Sequence, residues 1–352
     1  MTLHNILTSA TLKDASDVFI IAGIPITYKI KGLQDRDDSG IMKPDDINAI
    51  IDEIYEAAGR EKTNLEKSFD DDFSFSVRDL GRFRVNIFRQ RGSLAAVIRV
   101  IRFGIPDPKA LGIPESVLSL ADNRTGLVLV TGAAGSGKST TLACMIDRIN
   151  KTREAHIITM EDPIEYLHSH NRSIVSQREI FIDTPGYLES LRSALRESPD
   201  VILLGEMRDF DTISSAITAA ETGVLLFSTL HTSSADNTIN RIVDVFPANQ
   251  QVQVRSQLAQ LIKGVVCQQL VTSVDGTLIP VFEVMKSSPA IHNMIREGKL
   301  HQLESAMQAA SADGMVTMDT SLFDLYQQGR ITKDTLLTSC NNYEFMVKKV
   351  GM

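Results

Sequence analysis

The stretch GLVLVTGAAGSGKSTTLACMID, residues 126–147, decides the fold. It opens with the apolar run LVLVT, the composition of a strand buried on both faces of a parallel sheet. Gly132-Ala-Ala-Gly135-Ser136-Gly137-Lys138-Ser139 then matches GxxxxGK[ST]. Beyond it Leu142, Met145, Ile146 and Ile149 recur at i, i+3, i+4 and i+7, the spacing of one helix face. Strand, glycine loop and helix in that order form a phosphate cradle. The glycines let backbone N–H groups converge on phosphate, Lys138 reaches the β and γ phosphates, the Ser139 hydroxyl ligates Mg²⁺, and the helix N-terminus adds its dipole. The expected binding set is Gly132, Gly135, Ser136, Gly137, Lys138, Ser139 and Thr140, with ATP or GTP and Mg²⁺ as ligands.

Three more apolar runs follow: HIITMED, VILLGEMRD and VLLFSTLHT. Helical patterns lie between strands, for instance Ile213, Ala216, Ile217 and Ala220 with Gly223 as the stop, so this part reads as α/β. Ligands of such sheets sit beyond the carboxyl ends of the strands. The residues there are Glu161 and Asp162, then Glu206, Arg208 and Asp209, then His231 and Thr232. A lone acid after a strand is ordinarily a cap or a solvated turn, and a lone histidine is ordinarily structural. Three polar strand ends around one phosphate loop form a set. Phosphoryl transfer needs Mg²⁺ held, water oriented and γ-phosphate charge neutralised. Glu161 and Glu206 can divide the first two tasks, with Glu206 as a metal-side candidate beside Ser139, and His231 can contact the γ-phosphate. Which glutamate does which is left open at this level.

Around this core the 352 residues, 43% hydrophobic, suffice for two domains and a small appendage. Residues 1 to about 103 alternate helix and strand: DVFIIAG, ITYKIKG, the amphipathic DDINAIIDEIYEAAG, then FSFSV, FRVNIF and LAAVIRVI. The segment FGIPDPKALGIPES, Phe103 to Ser116, is rich in proline and glycine and suits a hinge. Past about residue 280 the pattern turns to short helices. A net charge of −8 and a pI near 5.4 argue against broad nucleic-acid or membrane-surface binding. Cys144, Cys267 and Cys340 are scattered without a CxxC pair, which excludes a four-cysteine zinc site and points to a reducing, cytosolic compartment. Neither a leader-like start nor a membrane-spanning apolar stretch is evident, so action at a membrane would run through partners.

The motifs together resemble the secretion and type IV pilus ATPases, GspE/PulE-like proteins, and among them the PilT-type retraction motors. GLVLVTGAAGSGKSTTLACMID is similar to that family's Walker A, ITMEDPIEY to its Asp box, SPDVILLGEMRD to its Walker B, and AAETGVLLFSTLHTSSADNTINRIVDVFP to its His box. The resemblance covers nearly the whole chain. It implies an α/β protein with a PAS-like α+β domain over 1–103, a linker over 104–118, a RecA-like P-loop ATPase domain over 119–280 and a helical region over 281–352. It further implies an ATP-hydrolysing homohexamer at the cytoplasmic base of a pilus machine, recruited through an inner-membrane platform protein and powering retraction. Pilus assembly or secretion is the alternative, and a non-hydrolysing regulator is a rival of another class. The zinc module of extension-type relatives cannot be built from three scattered cysteines. A family helix reading AIRNLIRE appears here as Ala290-Ile-His292-Asn-Met294-Ile-Arg-Glu, with histidine in place of an arginine.

The stretch 81–102, GRFRVNIFRQRGSLAAVIRVIR, concentrates six arginines in an acidic chain. As a strand, its first half puts Arg82, Arg84 and Asn86 on one face and Phe83, Val85 and Ile87 on the other. Arg99 shares its face with Ala95, Val97 and Ile101, so a charge is expected to interrupt an apolar surface and to need an anion. The family resemblance implies that Arg84 and Arg99 reach the γ-phosphate of a neighbouring subunit.

Overall fold

The computed structural model describes residues 2–38, 40–101 and 104–351. Arg102, the last of the six arginines, and Phe103, the first residue of the expected hinge, lie outside the described residues. The chain divides into two compact units, Met1–Gly104 with Glu165–Leu167, and Ile105–Ile164 with His168–Met352.

The first unit carries β1 (Asp17–Ile20), β2 (Thr27–Ile30), β3 (Leu33–Arg36), β4 (Asp70–Val77), β5 (Gly81–Gln90) and β6 (Ser93–Ile101). They form one antiparallel sheet in the order β3-β2-β1-β6-β5-β4. Helices Leu3–Leu12 and Pro44–Ala58 pack Ile6, Leu7, Ile47, Ile50, Ile51 and Ile54 into a core with Val18, Phe83, Val85, Ile87 and Ile98. This is the PAS-like α+β architecture. The β5 alternation is as expected: Phe83, Val85 and Ile87 are buried while Asn86 is exposed. β3 escaped the sequence reading because LQDR is an exposed edge strand with almost no apolar signal.

Arg99 departs from expectation. The core-facing residues of β6 are Ala96 and Ile98, and the Arg99 side chain is 69% exposed. Its anion lies within the same unit: Arg99 Nε donates to Asp17 Oδ1 at 3.2 Å. Ala95 and Ile101, buried on the Arg99 face, are small or terminal residues of the strand, so that face is only partly covered.

The second unit is built on β7 (Gly126–Thr131), β8 (His156–Glu161), β9 (Ile174–Glu179), β10 (Val201–Leu204), β11 (Leu225–Leu230), β12 (Ile262–Thr272) and β13 (Leu278–Lys286). The order is β13-β12-β7-β11-β10-β8-β9, parallel throughout except the β12/β13 pair. β7 is buried at every position, because Leu127 and Leu129 join the core on one face and Val128 and Val130 that on the other. Helix Lys138–Thr152 covers the second face with Leu142, Met145, Ile146 and Ile149. Helices Phe210–Glu221, Ala235–Asp244 and Gln251–Leu261 cover the first.

Two boundaries shift from the sequence reading. The later half of the expected linker belongs to the core of the second unit: Ile113, Val117 and Leu118 are buried. Arg148 pins this stretch by donating to Glu115 at 2.8 Å and to Asp122 at 2.6 Å. Helical structure begins beyond 280, since β13 runs to Lys286 and helix Pro289–Glu297 follows. The cause is an Asp275-Gly276 turn, with Gly276 at φ +82 and Asp275 accepting from the Thr277 hydroxyl at 2.7 Å. It folds β13 back on β12 in register from Thr272↔Leu278 to Gly264↔Lys286.

Glu283 of β13 is a buried carboxylate that accepts from Ala235 N at 2.7 Å and Met318 N at 3.1 Å. It thereby satisfies first-turn donors of helices Ala235–Asp244 and Met318–Gln327. Burial pushes its pKa up, while those two N–H groups pull it back. Glu283→Ala orphans both donors and is expected to cost about 2–4 kcal/mol in urea denaturation. Glu283→Gln, which keeps a carbonyl acceptor, is expected to lose less.

Candidate functional site

The phosphate loop takes its shape from glycines in backbone regions that other residues rarely adopt. Gly132, Gly135 and Gly137 have φ of +142, +77 and +88. A Cβ at Gly132 would lie 2.1 Å from the Gln268 carbonyl oxygen, and one at Gly137 would lie 2.8 Å from Gln268 Nε2. Gln268, on β12 beside β7, also accepts from the buried Thr141 hydroxyl at 2.7 Å. This residue backs the loop and was not found from the sequence, because it sits in a late strand outside any motif. Lys138 Nζ donates to the carbonyls of Gly132 at 2.8 Å and Ala133 at 2.9 Å, folding over the loop. Ser139 and Thr140 occupy the first turn of the helix, half-buried. The Ser136 hydroxyl is buried with no hydrogen-bond partner among the described residues, a donor suited to a phosphate oxygen.

Strand order brings the other candidates alongside. β7, β11, β10 and β8 are successive neighbours, so the loop, His231, Glu206 and Glu161 follow one another along one edge of the sheet. Glu161 ends β8, and its Oε1 accepts from Thr159 Oγ1 at 2.6 Å and Gln177 Nε2 at 3.3 Å. Glu206, just past β10, keeps only 12% of its side chain exposed; its Oε1 meets Arg208 Nη2 at 2.6 Å and its Oε2 lies 3.6 Å from His231 Nε2. The Glu206 hydrogen bond holds the exposed Arg208 guanidinium above its ordinary pKa.

The glycine preceding Glu206 has a steric reason. Gly205 N donates to Met160 O at 2.8 Å, and its carbonyl accepts from Thr229 Oγ1 at 2.7 Å, tying the end of β10 to both neighbours. A Cβ at Gly205 would lie 2.8 Å from Tyr187 Oη and 3.0 Å from the Met160 carbonyl oxygen. Tyr187 was also missed in the sequence; its hydroxyl pKa is raised by burial first and by the Glu206 charge second.

Arg84 and Arg99 stand in the first unit, directly opposite each other on β5 and β6. Like charges in that register repel. Arg84 offsets this by bonding both oxygens of Asp72, Nε at 2.9 Å and Nη2 at 2.6 Å, and Arg99 by bonding Asp17. His292 lies on helix Pro289–Glu297, with Nε2 2.7 Å from Ser287 Oγ. Burial first, then Lys263 and Arg296, lower its pKa.

No cluster of three or more His, Cys, Asp or Glu that could hold a metal is present among the described residues. Mg²⁺ fits this donor set nonetheless: it takes a hydroxyl and one or two carboxylates, with phosphate oxygens and water completing its shell. Among the described residues no helix is long and apolar enough to cross a membrane.

Residues 1–342 match the family model described as type II/IV secretion system protein. The chain is 43% identical to the type IV pilus retraction ATPase PilT of Pseudomonas aeruginosa over 334 residues, covering 95% of this chain and 96% of that one. It is 40% identical to a twitching motility protein of Neisseria gonorrhoeae, covering 98% and 92%. A crystal structure of the pilus retraction motor PilT with bound ADP superposes with a TM-score of 0.90 at 44% identity, covering 99% of both chains.

Gly205→Ala is expected to destabilise the protein by about 1–3 kcal/mol through overpacking. Part of that loss should disappear in a Tyr187→Phe background, since the hydroxyl is the nearest obstacle. Denaturant titrations of the two single variants, the double variant and the parent measure the coupling.

Proposed function

The chain belongs to the type II/IV secretion system protein family, and on that premise we propose that it is a Mg²⁺-dependent ATPase motor that powers type IV pilus retraction. The observation that carries the reading is the succession of phosphate loop, His231, Glu206 and Glu161 along one sheet edge. Backbone N–H groups of Gly132–Ser139 and the Ser136 hydroxyl receive the phosphates. Lys138 exchanges its two carbonyl partners for phosphate oxygens. Ser139 and Glu206 would hold Mg²⁺, which when bound neutralises charge on the β and γ phosphates. Glu161 and Glu206 between them orient the attacking water and the hydration shell around the metal, and His231 hydrogen-bonds on the γ-phosphate side.

The working assembly is a homohexamer recruited to the cytoplasmic face of the inner membrane by a platform protein of the pilus machine. In that ring Arg84 and Arg99 act on a neighbour's γ-phosphate, where such arginines contribute about 10³ to 10⁵ in rate. Each is paired with an aspartate in its own unit, so the neighbour's phosphate must displace Asp72 and Asp17. Occupancy of the adjacent site thereby changes the charge balance on the β5–β6 surface.

Glu206→Gln is expected to abolish ATP turnover while nucleotide still binds, as measured by steady-state hydrolysis beside titration with a fluorescent nucleotide. Arg84→Ala and Arg99→Ala should each remove turnover by the assembled ring with little change in nucleotide affinity; normal hydrolysis by either variant removes that arginine from the role. Deleting the gene should leave excess filaments without surface motility. Loss of filaments would instead indicate assembly, and full complementation by Glu206→Gln would indicate a regulator that does not hydrolyse.

A further inference from the structure

We propose that Thr159 and Gln177 are positioning residues for ATP hydrolysis, acting through Glu161; the inference rests on the ATPase reading above. Thr159 and Gln177 are register partners on the parallel strands β8 and β9, and Glu161 lies two residues beyond Thr159 on the same face of β8. Both side chains aim a donor at a single atom. Thr159 Oγ1 donates to Glu161 Oε1 at 2.6 Å, the length of a hydrogen bond to an ionised carboxylate, and Gln177 Nε2 donates to that same oxygen at 3.3 Å.

Neither donor is placed by accident of solvent. Thr159 is fully buried within the sheet, so its hydroxyl has to be spent on a protein acceptor. The Gln177 amide is turned by its other end: Gln177 Oε1 accepts from His168 N at 2.8 Å, which leaves the NH₂ group toward Glu161. The last torsion of a glutamate is broad and nearly two-fold when nothing restrains it. Two donors on Oε1 restrict that torsion and fix the direction of Oε2. A carboxylate that orients water for in-line attack depends on that direction, and small misplacements of reacting groups cost large factors in rate. A serviceable threonine in the middle of an apolar strand is otherwise a poor choice, because valine of the same shape would bury there without a polar atom.

The test uses the full chain assembled for ATP hydrolysis. Thr159→Val removes only the hydroxyl and is expected to lower kcat about tenfold with KM for ATP changed by less than about twofold. Thr159→Ser, which restores the hydroxyl, should return kcat to within about twofold of the parent. Gln177→Leu should lower kcat in the same way, and serves as the second probe if Thr159→Val does not fold. In a Glu161→Gln background, Thr159→Val should add no further loss, as expected for residues acting through one group. The proposal is overturned if kcat is unchanged in both Thr159→Val and Gln177→Leu, or if their losses recur in full in the Glu161→Gln background. A parent protein that binds ATP without hydrolysing it would instead defeat the ATPase reading itself.

Discussion

The end of β7 approaches the middle of β12 so closely that the space a Cβ would occupy at Gly132 is already filled by the Gln268 carbonyl. That contact sets the shape of the phosphate loop. With no side chain to separate them, the backbone of β7 turns sharply at φ +142, and helix Lys138–Thr152 starts where the turn aims it. The Gln268 amide then closes the back of the loop through Thr141 and blocks a side chain at Gly137. A loop held from behind in this way offers its donors to phosphate with little reorganisation on binding, which is the condition under which electrostatic stabilisation is most effective.

The same economy of space recurs at Gly205, where tyrosine and a neighbouring carbonyl leave no room for a methyl group. Glu206 is therefore carried on a backbone position hydrogen-bonded to β8 and β11 at once. The two glutamates are restrained by different means. Glu161 is gripped by neutral donors on adjacent strands, whereas Glu206 sits between a guanidinium and an imidazole. Neutral donors fix direction. The guanidinium responds to whatever charge arrives.

What was legible in the sequence follows from which signals are local. GAAGSGKS, the four apolar runs and the polar residues that end three of them are contiguous patterns, and the parallel sheet with its convergent strand ends follows from them. Gln268, Tyr187 and Gln177 belong to no pattern; they matter because strand order brings β12 to β7 and β9 to β8. β3 lacked apolar residues and β13 was hidden by its antiparallel return after Asp275-Gly276. Arg99 was misjudged by counting apolar neighbours along one strand. Burial depends on what covers a face, and the face opposite the helices leaves the Arg99 side chain in the open while its partner Asp17 is buried.

Glu283 bears on how the chain can be divided. One carboxylate caps the start of a helix of the ATPase sheet and, alongside Thr317, the start of another in the C-terminal region, so the two helix starts are tied through one side chain. The last part of the chain is therefore not a detachable module. A chimera joined between 283 and 318 would inherit a carboxylate set for one partner and a helix end set for another. Exchanges of C-terminal regions between relatives should instead carry β13 and the region it caps as one piece, together with the facing turn at Ala235.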